Sequence, residues 1–366
     1  MNHDFHYGVI KVLARAAGFS EDDAQTIAYA SQYTDDSANH QPVLMENLGN
    51  LSLNKKLEQW VELLGLHNGP ERKIVVKVWE GTLFDPVCTS HVGVDYILGL
   101  DSGVQRKVYV SFHFLPGKKH FDGQEFSYLT IPNGGIASSL LDAIVDAYRT
   151  DDHNQKKLRS VALCALGIAL HSYADTWAHQ SFSGRRSSAD NDLIDLKVDG
   201  VKPPIDEIMK LGALVPIGHL DAGNYPDRPD NAVEFEFKRG ENLKRSNTDA
   251  FLEAAEKILS ALAPLNGKDP AIEWGKIGAT LKDCLAEESD AKDRVKLIEN
   301  EFKKEFPELT MDYDKGRWER EAVKMKPAVD FKYSITFLPT GQSNKWFDFH
   351  VAALAQRTFV RGKIES

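Results

Sequence analysis

Three residues spaced four apart, His171, Asp175 and His179 in ALHSYADTWAHQSF, are of the types that bind metal ions. On a helix this spacing makes one gently winding polar stripe. The run before it, Val161 to Leu170, is almost all apolar, and a buried Asp with no cationic partner costs several kcal/mol. At ~1.5 Å per residue, His171 and His179 lie about 12 Å apart along the axis, too far to chelate one ion. Asp175 is therefore expected to bridge a pair of divalent ions about 3.5 to 4 Å apart, each held by one His. Such a cluster suits phosphoester hydrolysis: the ions acidify water and neutralise developing oxyanion charge, so no Ser or Cys nucleophile is needed. The bland alternative is a solvated polar face or a self-satisfied His–Asp pair.

The elements that must position this stripe follow from pattern. Phe5 to Ala17 reads as a short amphipathic helix ending at Gly18, and Ser20 with Glu21, Asp22 and Asp23 caps a second helix running to about Tyr33. Asp35 and Asp36 then sit at a helix C-terminus, where carboxylates are unfavourable unless a cation pairs with them. Lys73 to Glu80 and Lys107 to Phe114 alternate and are rich in β-branched and aromatic residues, predicting two strands of a small sheet. Ile136 to Tyr148 and Leu158 to Phe182 are helical, the latter the expected buried centre. A short helix follows Pro203 and Pro204, and Pro216 to Pro229 must be an irregular loop. Ala232 to Leu262, Ile272 to Leu285, Ala291 to Phe302, Arg317 to Val323 and Asn344 to Thr358 read as further helices. The chain is expected to form one helical metal-binding domain with a small β element, in which residues 265–335 are a charged insertion or partner surface.

The motif LHSYADTWAHQSF resembles the central LHxxxDxxxH helix of the zinc-dependent phospholipases C and single-strand-specific nucleases, and its three-residue Asp-to-His interval is similar to the Het-C pattern. The matches span residues 1 to about 185. The resemblance implies a multi-helix bundle holding two or three ions, zinc or another divalent metal. Its ligands would come from an N-terminal His (His6), the end of the second helix (Asp36, with Asp35 as an alternative or a support for a ligating His), a His on a following strand (His113), and the central helix. Secreted members also use the free amine of a mature N-terminal Trp. This chain starts Met1-Asn2-His3 with no leader to cleave, so that ligand is expected to be missing, with His3 or Asp4 in its place.

The remaining His and carboxylate are assigned to His219 with Asp221 or Asp227, on the Gly- and Pro-shaped loop, with His350 and Asp348 as rivals. His91, His120 and His153 read as structural. Asp36 or a neighbouring carboxylate would act as base, Asp175 as the catalytic bridge, and Arg185 and Arg186 could hold a phosphate. The implied substrate is a phosphoester, with phospholipid and nucleic acid unresolved. Two alternatives stand beside this: a non-catalytic, metal-stabilised binding or toxin-like module, and an HD-type phosphohydrolase.

Composition bounds the partners. Apolar residues make up 42% and charged residues 27% of the chain, the balance of a globular protein. The net charge of −10 opposes broad nucleic-acid affinity, although bound cations could reverse the sign locally. Three scattered cysteines give neither a disulfide framework nor a thiolate zinc site. No apolar run approaches the ~18 residues of a membrane span, and the N-terminus does not read as a signal, so a cytoplasmic location is expected.

Overall fold

The computed structural model describes residues 1–38, 43–44, 52–65, 79–80, 83–91, 101–121, 123–153, 158–206, 209–210, 212, 215–266, 273–326, 334–337 and 344–365. The fold is mainly α with small β elements. The chain enters through a π-helical turn, Asp4–Val9, that runs into α1 (Ile10–Ala16). Helix α2 (Glu21–Asp36) starts where the Ser20 side chain accepts the Asp23 amide, and extends past the expected Tyr33 to include both carboxylates. Helix α3 (Ser52–Leu63) follows. A third group begins with α4 (Ser102–Val104), capped by Asp101 and continued as a π-helix over Gln105–His113.

That π-helix replaces the strand expected over Lys107 to Phe114. The Phe114 amide bonds the Tyr109 carbonyl at 2.8 Å and the Ser111 hydroxyl bonds the Arg106 carbonyl, both spanning five residues. Strand preference reflects side-chain packing more than backbone. Here both alternating sets, Val108, Val110 and Phe112 as well as Tyr109 and Ser111, are buried, because the segment packs against two helices. Of the other expected strand, only Trp79–Glu80 (β2) is described, pairing with β3 (Leu83–Phe84); β1 (Val43–Leu44) completes that sheet, and the rest of Lys73 to Glu80 lies outside the described residues.

Helix α5 (Gly135–His153) leads to the central α6 (Arg159–Ala178), buried throughout from Val161 and packed on α2, α5 and the last helix. At Gly167 an added Cβ would stand 2.3 Å from the Ile27 carbonyl oxygen and 2.7 Å from the Ala30 Cβ. Only a hydrogen fits there, so α2 and α6 approach closely, one turn before His171.

After α7 (Ser188–Asn191) comes a three-stranded antiparallel sheet ordered β6 (Leu193–Val198), β7 (Ala232–Phe237), β8 (Asn242–Ser246). The helix expected from Ala232 therefore begins only at Asn247 (α8, Asn247–Leu262), where Ser246 caps the Asp249 amide. The two strands form because AVEFEF alternates, burying Val233, Phe235 and Phe237, and Gly240, at φ 87°, turns the hairpin. The short hairpin Lys119–Phe121 (β4) with Gln124–Phe126 (β5) lies between α4 and α5. The short helix expected after Pro204 falls largely outside the described residues.

Helices α9 (Trp274–Ala286), α10 (Ala291–Phe302) and α11 (Arg317–Ala322) follow, then a hairpin of β9 (Val323–Lys326) and β10 (Ser334–Phe337) and the closing α12 (Lys345–Glu365). The charged 265–335 stretch contributes Ile277, Leu281, Ile298, Phe302, Leu309 and Trp318 to the main helical core. It also reaches the N-terminus: the buried Arg294 guanidinium binds the buried Asp4 carboxylate. A second, smaller core lies under the sheet, with Phe114, Phe182, Ile217, Phe235 and Phe237. Among the described residues, no helix is long and apolar enough to cross a membrane.

Candidate metal centre

The stripe on α6 lies where the two cores meet. His171 and Asp175 are buried inside the helix; His179 is its C-cap, and Ser181 just beyond turns the chain with φ 69°. Around them three sets of ligand atoms converge, each set within 4.8 Å: His6, His171 and Asp175; Asp35, His113 and His171; His179, His219 and Asp227. The first helices, the π-helix, α6 and the Gly-rich loop all deliver ligands to one place.

Asp175 lies at the hub. Its Oδ1 faces the Met1 amine at 2.6 Å and His6 Nε2 at 3.0 Å. Its Oδ2 faces His171 Nε2 at 3.3 Å, His113 Nδ1 at 3.4 Å and His179 Nδ1 at 3.7 Å. The two oxygens thus serve different neighbours. The division differs from the expected one: His6 and the amine take one side of Asp175, whereas His179 turns its Nε2 to Asp227 Oδ1, 3.2 Å away.

The imidazoles are held in a common manner. A backbone carbonyl only accepts, so the ring nitrogen facing one carries the proton. His113 Nε2 donates to the Thr89 carbonyl at 2.8 Å, His179 Nδ1 to the His113 carbonyl at 2.7 Å, and His219 Nδ1 to the Gly223 carbonyl at 2.9 Å. Each ring's other nitrogen is thereby left as a lone pair facing carboxylates, the arrangement that orients metal-ligating histidines. His113 Nδ1 lies 3.1 Å from His171 Nε2, and Asp35 Oδ1 stands 3.7 and 3.6 Å from those two nitrogens. Both ring nitrogens of His6 are buried without a hydrogen bond, Nε2 despite its 3.0 Å approach to Asp175. A buried polar atom in that condition calls for a partner.

Charge points the same way. Three carboxylates against one ammonium leave two negative charges when the rings are neutral, and buried uncompensated charge is expensive. Burial raises the Asp175 carboxyl, but His179, the amine and His171 outweigh it and hold it well below the usual carboxylate range. Asp227 is held down likewise, by the amine, His219 and His179 against burial. Burial lowers the Met1 amine, yet Asp175, Asp227 and Asp35 carry it up to about 11. Burial, His171 and the amine drive His6 well below its ordinary value, and burial lowers His219. Oxygen and imidazole donors in this density fit zinc or a similar divalent ion.

At the position where an N-terminal ligand was expected to be missing, the Met1 amine stands 2.6 Å from Asp175 Oδ1 and 3.1 Å from Asp227 Oδ1. The Phe5 and His6 amides both bond the Asn2 carbonyl at 3.0 Å, so the chain is helical from His3 onward. His3 and Tyr7, one turn apart, then share a face: their rings stack at 5.3 Å, with Tyr313 5.1 Å from His3. Asp4 turns to Arg294, and Met1 itself reaches the site. His3 and Asp4 stand outside all three groups.

Of the paired aspartates, Asp35 enters the site, whereas Asp36 accepts hydrogen bonds from the Tyr313 hydroxyl at 2.7 Å and Gln32 at 3.3 Å. Asp227, 3.3 Å from His219 Nε2, is the loop carboxylate in the site; Asp221 instead accepts the Leu193 amide at 3.1 Å. His350 accepts the Val87 amide at 3.0 Å and Asp348 pairs with Lys56 at 2.6 Å, both away from the site. Arg185 lies over the Tyr128 ring, and the Arg186 amide bonds Gln105; neither lines the cavity. His120 faces Glu125 on the surface, and the His153 side chain lies outside the described residues.

A cavity of about 170 Å³ opens onto the three groups, lined on its far side by His91, Tyr109, Phe114, Ile217 and Leu220. His91, expected to be merely structural, is part of that wall. Gly218, at φ 57°, lets the loop lie against Phe114, whose ring an added Cβ would meet at 2.6 Å. Neither curated proteins nor solved structures give a match to the chain. A family model does match, over residues 1–364, and the chain belongs to that family, DUF6765, described as a family of unknown function.

Proposed function

We propose that this protein is a metal-dependent hydrolase of phosphoesters, with phosphodiesters as its main substrates. The observation that carries the reading is Asp175, whose Oδ1 faces His6 and the Met1 amine while its Oδ2 faces His171, His113 and His179, an arrangement that would suit a carboxylate shared between ions. His6, Asp175 and the Met1 amine, once it has given up its proton, would hold one ion, Asp35, His113, His171 and Asp175 a second, and His179, His219 and Asp227 a third. Bound divalent ions would supply an acidified water and compensation for charge on the phosphoryl oxygens.

The chain's own groups do the rest. Asp35 lines the cavity and is a third exposed; it would take a proton from an incoming water, as the neighbouring carboxylate that the sequence offers beside Asp36. The carbonyls of Thr89, His113 and Gly223 keep three rings from rotating. Tyr109, Phe114, Ile217 and Leu220 provide an apolar wall that excludes water beside the reacting group. Three buried cysteines without a disulfide accord with a reducing, cytoplasmic setting.

The test is hydrolysis of generic phosphodiester and phosphomonoester substrates by zinc-loaded protein, with Asp175→Asn as control. Turnover lost in the variant is expected; turnover kept in it overturns the mechanism.

A further inference from the structure

Outside the ligand groups, one guanidinium stands where two ligand-bearing elements meet. Arg245 lies near the end of β8, in register with the buried Val233, so its side chain enters the protein rather than solvent. It donates to the carbonyls of Trp177 and Ala178, the latter at 2.7 Å, on the last turn of α6. The same Nη2 reaches the Pro226 carbonyl at 3.2 Å, in the turn that ends on Asp227. Helix-terminal carbonyls have no partner within the helix, and a cation there meets the negative end of the helix dipole. Arg245 Nε bonds Asn247 Oδ1 at 2.9 Å, and the fully buried Asn247 donates to the carbonyls of Tyr225 and Arg228, both at 2.8 Å. Two side chains thus hold both flanks of Asp227 against the helix end whose next residue is His179.

We propose that Arg245 is a positioning residue for the His179, His219 and Asp227 group: its fork sets Asp227 against His179 and thereby raises that group's affinity for a divalent cation without touching the ion. This rests on the metal-centre reading above. Lysine cannot substitute, because a single ammonium lacks the planar set of donors needed to reach carbonyls on two elements at once.

The test is calorimetric zinc titration of the metal-stripped full chain, for the wild type, Arg245→Lys, Asp227→Asn and the double variant. Arg245→Lys is expected to fold with a lowered apo melting temperature, from the carbonyls it leaves unpaired, while one zinc binds about 10- to 100-fold more weakly, the range for residues that orient ligands, and the other zinc affinities stay at their wild-type values. The double variant is expected to lose no more than Asp227→Asn alone, since both changes act on one group. Wild-type zinc affinities in Arg245→Lys overturn the proposal, and so does an additive loss in the double variant, which marks a general structural role. If Arg245→Lys does not fold, Asn247→Ser decides: the same selective loss supports the proposal and unchanged affinities overturn it. A wild type that binds no zinc overturns the metal-centre reading itself.

Discussion

Two helices bury a His and an Asp close together in sequence, and their fates differ. On α6, His171 and Asp175 meet His6, His113, Asp35 and the Met1 amine, all brought from other elements. On α12, Asp348 and His350 are equally buried, but the histidine accepts the Val87 amide and the aspartate pairs with Lys56, and neither is in any of the three ligand groups. Burial lowers His350 to about 3, so it is a neutral core residue. The difference teaches that burial alone does not mark a ligand. What marks one is convergence: more lone pairs and negative charge in one place than the protein's own donors balance.

The sharpest break in this comparison is Asp175→Asn. It removes the hub carboxylate and is expected to abolish binding of the ions shared by His6 and by His113, with any turnover falling at least about 100-fold. Asp348→Asn, its counterpart on α12, is expected to leave zinc content unchanged. Metal analysis and phosphodiester assays of both variants check this; equal effects would erase the distinction between the two helices.

Next is the Met1 amine. Acetylating it, or extending the chain before it, removes the group lying between Asp175 and Asp227 and is expected to cost one ion per chain. A C-terminal extension of equal length is expected to cost none, and native mass spectrometry of the two forms distinguishes them.

The packing that joins α2 to α6 is the third lever. Gly167→Val forces a side chain against the Ile27 carbonyl and Ala30, and is expected to destabilise the fold by about 1–3 kcal/mol or more while pushing Asp35 away from His171. Denaturant melts and zinc affinity report the two effects separately.

The smallest effect on the metal centre belongs to His350. Its folded pKa lies below the unfolded value, so the unfolded state takes up the proton first as pH falls. Stability tied to it is therefore complete above about 6.5 and is lost toward 3, by about 1.4 kcal/mol for each pH unit. His350→Asn keeps an acceptor for the Val87 amide and is expected to flatten that acid limb of the stability curve while leaving zinc binding alone. Melting temperatures between pH 4 and 7 test it.

Much of this was legible in the sequence, and for identifiable reasons. Helical periodicity and the Ser20 cap place α2, and the apolar run before His171 places α6 at the centre. Two segments misled. Lys107 to Phe114 has strand-forming residues, but from Val108 onward both alternating sets are buried, so the one-sided burial of a half-exposed strand is missing. In Ala232 to Ser246 the alternation was present in AVEFEF, with Gly240 marking the turn, but abundant charge made the stretch read as part of a helix. Within the site, the choice of Asp35 over Asp36 depends on Tyr313, far away in sequence, and that of Asp227 over Asp221 depends on how the loop folds at Gly218 and Gly223. The Met1 amine carries no side-chain signature, and Arg245 looks like any strand lysine or arginine until its register with Val233 is known.

The central claim is that Asp175 bridges ions, and metal content tests it most directly. Elemental analysis of purified, zinc-equilibrated protein should give two or three ions per chain, one for each occupied ligand group, falling to one or none in Asp175→Asn. A wild type holding fewer than two ions per chain, or an Asp175→Asn variant holding as many as the wild type, would contradict it.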